Sequence, residues 1–378
     1  MTTTTPPAFA QTTRLVARIL GRTPAALLES LRPARLADLP HIVELRRRHY
    51  GDKRPWDDTE YLQWRYKLGC IDSGMGELWV FFKDAELLGM VGAEDMVCRI
   101  GGQRYAGTRS MDILVDAGVR ESGLGIWMNQ AMFEKSDFTL AVGAGSESAG
   151  MLRRLFHALP PRMRGISYID GSDLLHRRLG NNALVAVPIT LGNAALRMWR
   201  ATQSLQLARD IKIRAIEEFD ATHIASAPED ADAVHIERSA AYMNYRLFQN
   251  PRARYEVAGA YLAGNYLGHI AWRIAKNSDE HAWCYVIDVQ TFGSRRDDAL
   301  FALLVHVEKL AAAAGCMYTS LALQSRSDWP VFKRAGFVAR DFGAGGLIAL
   351  QCRDPATLEV LGTARWSITD LSEDNDGY

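Results

Sequence analysis

The chain has 378 residues, is 48% hydrophobic, and balances 44 basic against 44 acidic residues. That length exceeds one small core and fits two domains. The neutral balance excludes a general electrostatic grip on nucleic acid, and no apolar run of roughly 18 residues is present to span a membrane.

The opening Met1-Thr-Thr-Thr-Thr-Pro6-Pro7 lacks the charged and apolar regions of a signal peptide, so a cytoplasmic protein is expected. Residues 1–30 read as a flexible polar lead followed by a helical extension, amphipathic over residues 15–28. From Leu31 the pattern is strand then helix, with Asp38 as cap and Leu39, Ile42, Val43 and Leu45 as the buried stripe. Residues 77–82 and 86–96 form strands about a turn at Lys83-Asp84, and Gly101-Gly102 closes another hairpin. A strand at 110–115, a helix at 126–133, a strand at 138–142 and a helix at 149–159 complete a β-α-β-β-β-α-β-α order.

Between that strand and helix lies Arg120-Glu-Ser-Gly123-Leu-Gly125. Glycines at this spacing remove the Cβ atoms that keep phosphates off the backbone. The amides of the turn and first helical turn then point outward, unpaired and partly positive, where a pyrophosphate can sit. Arg120 adds forked donors and a fixed charge. Glycine-rich turns also cap helices with no ligand involved.

The second half repeats the order loosely, at an offset of about 175 to 180 residues. Tyr61-Leu-Gln-Trp-Arg65-Tyr finds an echo in Tyr242-Met-Asn-Tyr-Arg246-Leu, and the strand–helix–strand–helix series from Tyr285 to Ala335 follows. Between the halves an amphipathic segment at 193–210, carrying Leu196, Trp199 and Leu207, reads as a linker helix. The cysteines, Cys70, Cys98, Cys284, Cys316 and Cys352, lack C-x-x-C spacing and read as buried free thiols, with no structural metal site.

The opening Leu31-Arg-Pro-Ala-Arg-Leu-Ala-Asp38-Leu-Pro resembles the first strand and helix of the GCN5-related N-acetyltransferases. Val115-Asp-Ala-Gly-Val-Arg120-Glu-Ser-Gly123-Leu-Gly125 resembles their acyl-CoA signature, V-x-x-x-x-[QR]-x-x-G-x-[GA], without a departure. Trp329-Pro-Val-Phe-Lys-Arg-Ala-Gly336-Phe337 resembles their last helix and following strand. The likeness covers residues 31–160 and, more faintly, 212–350. The two-repeat arrangement resembles tandem acetyltransferases, including acyltransferases found with bacterial polysaccharide or natural-product genes.

The resemblance implies an α+β fold of two tandem domains, each a mixed, mostly antiparallel sheet flanked by helices. The expected divisions are an extension at 1–30, a domain at 31–165, a linker at 166–211, a degenerate domain at 212–350, and a partly disordered acidic tail at 351–378. It further implies pantetheine along Ile113, Leu114 and Val115, pyrophosphate on Arg120, Glu121, Ser122, Gly123, Leu124, Gly125 and Ile126, and Phe156 beside the coenzyme where the family often has a tyrosine acid. His157 or Tyr168 could replace that acid. The second repeat has Gly293-Ser-Arg-Arg-Asp297-Asp298 where the first has its glycines; two carboxylates suit a helix N-terminus but repel a pyrophosphate.

The acceptor amine needs a base. Asp112, on the strand before the turn, is the first candidate and Glu147 the second; for Asp112 a structural ion pair with Arg109 is the alternative. Tyr61, Trp64 and Arg65, with Tyr242, Tyr245 and Arg246, fall where the family walls its acceptor, or are core aromatics with paired arginines. The basic clusters Arg46-Arg-Arg48-His49, Lys53-Arg54, Arg153-Arg154, Arg162 and Arg164 are solvated faces, or dock an acyl-carrier protein or the adenosine phosphate.

The expected activity is acyl-CoA-dependent N-acyl transfer, with acetyl-CoA as default donor and no metal, to a primary amine of a small molecule such as an amino sugar or amino acid. The alternatives are a catalytically inactive acyl-CoA-binding regulatory module, or transfer from an acyl-carrier protein or an aminoacyl-tRNA.

Overall fold

Two sheets, each with its own core, make up the computed structural model, which describes residues 7–51, 58–68, 77–134, 136–170, 183–223, 233–276, 281–324 and 327–372. One unit comprises Met1–Leu159 with Leu347–Ala364, the other Pro160–Gly346 with Arg365–Tyr378.

The first unit carries helices α1 (Pro7–Ile19), α2 (Pro24–Glu29), α3 (Leu39–Tyr50), α4 (Thr59–Tyr66), α5 (Leu124–Phe133) and α6 (Ser146–Leu155). Its strands are β1 (Leu31–Pro33), β2 (Glu77–Lys83), β3 (Glu86–Ile100), β4 (Gln103–Val115), β5 (Phe138–Val142), β6 (His157–Leu159) and β15 (Ile348–Cys352). They lie in the order β1-β2-β3-β4-β5-β15-β6, with β4 and β5 parallel and every other neighbouring pair antiparallel. Period-two alternation sends neighbouring residues to opposite faces. Val80, Met90 and Leu114 pack with Ile42, Leu45, Tyr61 and Tyr66 of α3 and α4. Phe81 and Val91 pack on the other face with Val16 of α1 and Trp127 and Met128 of α5. The Trp127 indole N–H donates to Thr13 Oγ1 at 3.0 Å.

The second unit's strands are β7 (Met163–Tyr168), β8 (Ile211–Ala215), β9 (Ala233–Ile236), β10 (Glu256–Leu262), β11 (Asn265–Lys276), β12 (Ala282–Thr291), β13 (Tyr318–Leu323), β14 (Val338–Asp341) and β16 (Arg365–Trp366). The main sheet runs β14-β7-β13-β12-β11-β10-β8. The helix Arg296–Ala313 covers one face, and Met243 and Leu247 of the helix Ala240–Phe248 belong to the core on the other.

Several expectations change. The first sheet takes its strand β15 from residues near the chain's far end, and β7 belongs to the second sheet. The helix Pro355–Thr363 stands where a disordered tail was expected; the acidic residues 373–378 lie outside the described residues. The helix expected at 149–159 ends at Leu155, because residues 157–159 pair with β15. The extension is two helices, broken at Gly21 with φ +67°. Asp38 does not cap α3; its carboxylate takes Arg32 at 2.7 and 2.8 Å and the Arg35 amide at 2.7 Å. The linker helix spans Ala183–Leu205, and Trp199 lies under Gly336. Cys98, Cys284 and Cys316 are buried free thiols and Cys352 is half-buried; Cys70 lies outside the described residues. Among the described residues no helix is long and apolar enough to cross a membrane.

Leu350 is fully buried between β5 and β6. Leu350→Ala should cost about 2–5 kcal/mol, read by urea denaturation, and hydrogen exchange should show the lost protection on the amides of residues 138–142.

Candidate acyl-donor site

The parallel ladder between β4 and β5 runs from Gly107 opposite Phe138 to Ser110 opposite Ala141 and stops there. Residues 111–115 of β4 continue without that neighbour. On its other edge β4 slips register: Gly92 faces Met111 and Met90 faces Leu114, so Asp112 and Ile113 share Val91. Such a bulge turns backbone groups out of the ladder. Asp112 sits at φ +48°, a left-handed conformation costing about 1–3 kcal/mol that persists only where the surroundings hold it.

Here the holding groups are Arg46 and Tyr66. The Arg46 guanidinium is 3.2 Å from Asp112 Oδ2, and the Tyr66 hydroxyl donates to the same oxygen. Arg46 and Tyr66 are 1% and 2% exposed. Burial pushes the Asp112 carboxyl upward, but Arg46 and the Tyr66 hydrogen bond outweigh it and hold it below the usual carboxylate range. Burial, with the Asp112 charge, pushes the Tyr66 phenol well above its ordinary value. A carboxylate so held is a weak proton acceptor and a strong anchor. Arg109 pairs instead with Glu94 at 2.6 Å, and Glu94 also takes Arg65 at 2.9 Å, all three buried. Arg65 is therefore committed to the core, as is Arg246 at 1% exposure. Glu147 lies in the first turn of α6, and its side chain lies outside the described residues.

Past Val115 the chain makes a 3-10 turn, Ala117–Ser122, started by Asp116 accepting from the Gly118 amide at 2.9 Å. Gly123 then takes φ +80°, which only glycine adopts readily, and caps α5. Ser122 Oγ accepts the Leu124 amide at 3.2 Å, and the first helical bond is Trp127 N to Gly123 O at 3.0 Å. The amides of Gly125 and Ile126 therefore stand at the helix N-terminus ahead of that first bond. A Cβ at Gly125 would meet Val115 Cγ2 at 3.2 Å and Ile113 Cγ2 at 3.7 Å. Each glycine has a backbone reason: one a conformation, the other the close approach of α5 to β4.

The turn borders a cleft of about 620 Å³ walled by Ile19, Leu20, Lys83 and residues 117–122. Arg120 is exposed and reaches His49 Nδ1 at 3.3 Å. Glu121 is exposed, Ser122 and Leu124 are buried, and Ile113, Val115 and Ile126 are half-buried, with Leu114 in the core beneath α3 and α4. Phe156 is buried just past α6, and His157 stands exposed on β6 rather than on a helix. The basic clusters divide. Arg46 and Arg162 are buried in pairs with Asp112 and Asp370, Arg48 meets Asp116 at 2.9 Å, Arg153 and Arg154 are exposed, and Lys53-Arg54 lie outside the described residues.

The second unit repeats the geometry with a different outcome. Its parallel ladder, β12 with β13, stops at Val286 opposite Leu321, and β12 slips register against β11 at Ala271 and Trp272. Beyond that point residues 368–371 of the same unit stand between the strands. Thr369 bridges to Leu323 on β13, and its hydroxyl donates to Asp288 on β12 at 2.5 Å. Ile368 and Leu371 are fully buried, and Asp370 pairs with Arg162 at 2.7 Å. In the first turn of the following helix Asp298 takes Arg295 at 2.7 Å. Asp288 itself is held low: Arg238 and His269 override its burial. The apolar spacing Trp366, Ile368, Leu371 was the signal for this segment, hidden in an acidic tail.

No protein-family model and no curated protein matches the sequence. Solved structures do match its fold. A conserved protein of unknown function from Enterococcus faecalis, called a probable N-acyltransferase, superposes with a TM-score of 0.56 at 10% identity, over 87% of this chain and 73% of that one. A GCN5-related N-acetyltransferase from Anabaena variabilis gives 0.53 at 10% identity, over 86% and 73%. The N-myristoyltransferase of Saccharomyces cerevisiae, solved with bound myristoyl-CoA, gives 0.52 at 11% identity, over 86% and 82%. The chain has a GCN5-related N-acetyltransferase type of fold, in two mixed sheets flanked by helices.

Asp112 has a lowered carboxyl pKa in the fold, so its pairing stabilises above the unfolded carboxylate value and is lost as pH falls through the folded one. Asp112→Ala removes the carboxylate beside the buried Arg46 and should cost about 3–5 kcal/mol at neutral pH, measured by chemical denaturation. The gap between variant and parent should narrow in acid.

Proposed function

We propose that the protein is an acyl-CoA-dependent N-acyltransferase, with acetyl-CoA as default donor and a primary amine of a small molecule as acceptor. One observation carries the reading: β4 parts from β5 immediately ahead of a glycine turn whose helix amides stand free of helical partners. Pyrophosphate sits on residues 120–126, Arg120 and Lys83 supply charge, and pantetheine lies along the unpaired edge of residues 113–115.

The thioester then rests in the gap. The amine nitrogen forms a bond to the carbonyl carbon, the oxygen takes the negative charge against a backbone N–H of the bulge, and the C–S bond breaks as CoA leaves as thiolate. Asp112 acts as the anchor of the bulge. The amine's proton goes to water or to Glu147, and Phe156 leaves the thiolate without a phenol to protonate it. The second unit serves as scaffold, its cleft filled by residues 368–371.

The same two observations, an anchored Asp112 and a phenylalanine at 156, also favour a second reading: an acyl-CoA-binding module without turnover. Release of free CoA from acetyl-CoA, screened across amino sugars, amino acids and polyamines, separates the two. Arg120→Glu should weaken acetyl-CoA binding about 10- to 100-fold by calorimetry while leaving the melting temperature within a degree or two, since its charge is exposed. Unchanged affinity would remove the turn from the site. Gly123 is a poorer test, because a side chain at its positive φ strains the fold itself.

A further inference from the structure

In the second unit seven residues line a recess of about 190 Å³: Arg164 and Ile166 on β7, Arg273 on β11, Trp283 and Tyr285 on β12, and Tyr318 and Ser320 on β13. The register builds it. Arg273 lies opposite Tyr285, and Tyr285 opposite Ser320, in one row across three strands. Trp283 and Tyr318 stack beside that row, 6.3 Å apart and 13° from parallel.

The two arginines differ from their neighbours. Arg162, Arg200, Arg238, Arg295 and Arg296 of this unit each have a carboxylate partner. Among the described residues no carboxylate pairs with Arg164 or Arg273; the buried Nε of Arg273 lacks a hydrogen-bond partner, as do those of Arg162 and Arg200. Their guanidinium groups lie over rings instead, Arg164 at 4.5 Å from Phe342 and Arg273 at 5.7 Å from Tyr285. Aromatic faces hold a cation in place without neutralising it. Two like charges lining one small recess repel, and an anion between them relieves both. Planar forks match a carboxylate or a phosphate bidentately, and the aromatic wall beside them selects a carboxylate carried on a flat body. The stacked Trp283 and Tyr318 offer a flat wall, and Ser320 a small polar floor. The volume is below the roughly 300 Å³ of a drug-sized pocket, which restricts the occupant to about one ring.

We propose that this recess is a binding site for a small molecule bearing one carboxylate on a flat unsaturated body, its carboxylate between Arg164 and Arg273 and its body against Trp283 and Tyr318. The site belongs to the second unit and stands apart from the acyl-CoA reading of the first.

Titration of the full chain with benzoate, benzamide and inorganic phosphate, followed by ligand-observed NMR and calorimetry, tests it. Benzoate should bind at least tenfold more tightly than benzamide or phosphate, and Arg164→Met and Arg273→Met should each weaken it at least tenfold. Without ligand, both variants should melt at or above the parent temperature, because neither breaks an ion pair; Trp283→Leu should weaken benzoate and leave both arginines in place. Equal binding of benzoate and benzamide, a preference for phosphate, no binding of benzoate, or benzoate affinity unchanged in Arg273→Met would each overturn the proposal.

Discussion

The parting of two parallel strands is the constraint on which the rest depends. In each sheet the central strand shares its ladder with the next for only a few residues, then bulges and leaves it. The exposed backbone edge at such an opening takes its hydrogen bonds from other parts of the chain, from water or from a ligand. The second unit closes its opening with its own residues 368–371, through Thr369 on Asp288 and Leu323. The first unit has beside its opening a glycine turn, a helix N-terminus and a cleft flanked by Arg120 and Lys83. One geometry thus carries two fates, and the difference between them is the basis for proposing donor binding in the first unit alone.

Holding the bulge open is the task of buried charge. Asp112 occupies a conformation that a non-glycine residue seldom takes, and Arg46 and Tyr66 fix it there from α3 and α4. In the second unit the corresponding region is tied by Asp288, which gathers Arg238, His269 and Thr369. Buried ion pairs of this kind contribute little net stability but are costly to break. Their effect is to fix backbone position. That is why the carboxylate best placed in sequence to accept a proton is placed in structure to hold the strand.

Much of the local architecture was legible in the sequence. The Lys83-Asp84 and Gly101-Gly102 turns, the strand Phe138–Val142 and the glycine turn are each encoded by a few adjacent residues, and each forms where those residues are. What escaped was non-local. Ile348-Ala-Leu-Gln-Cys352 reads as an apolar strand anywhere, and nothing within it says that its partners are residues 138–142 and 157–159. His157-Ala-Leu159 continues a helical pattern until that partner takes it into the sheet. Arg46 looked like one member of a basic surface run, and its burial depends on Asp112, far along the chain. The site followed the same rule: the turn was visible, and the groups that lock the strand before it were not.

The most direct test is the stoichiometry and location of acetyl-CoA on the full chain, by calorimetry with hydrogen exchange on the same sample. One molecule should bind per chain, with new protection on the amides of residues 113–126 and none on residues 287–298. Two molecules per chain, none, or protection centred on the second unit's helix N-terminus would contradict it.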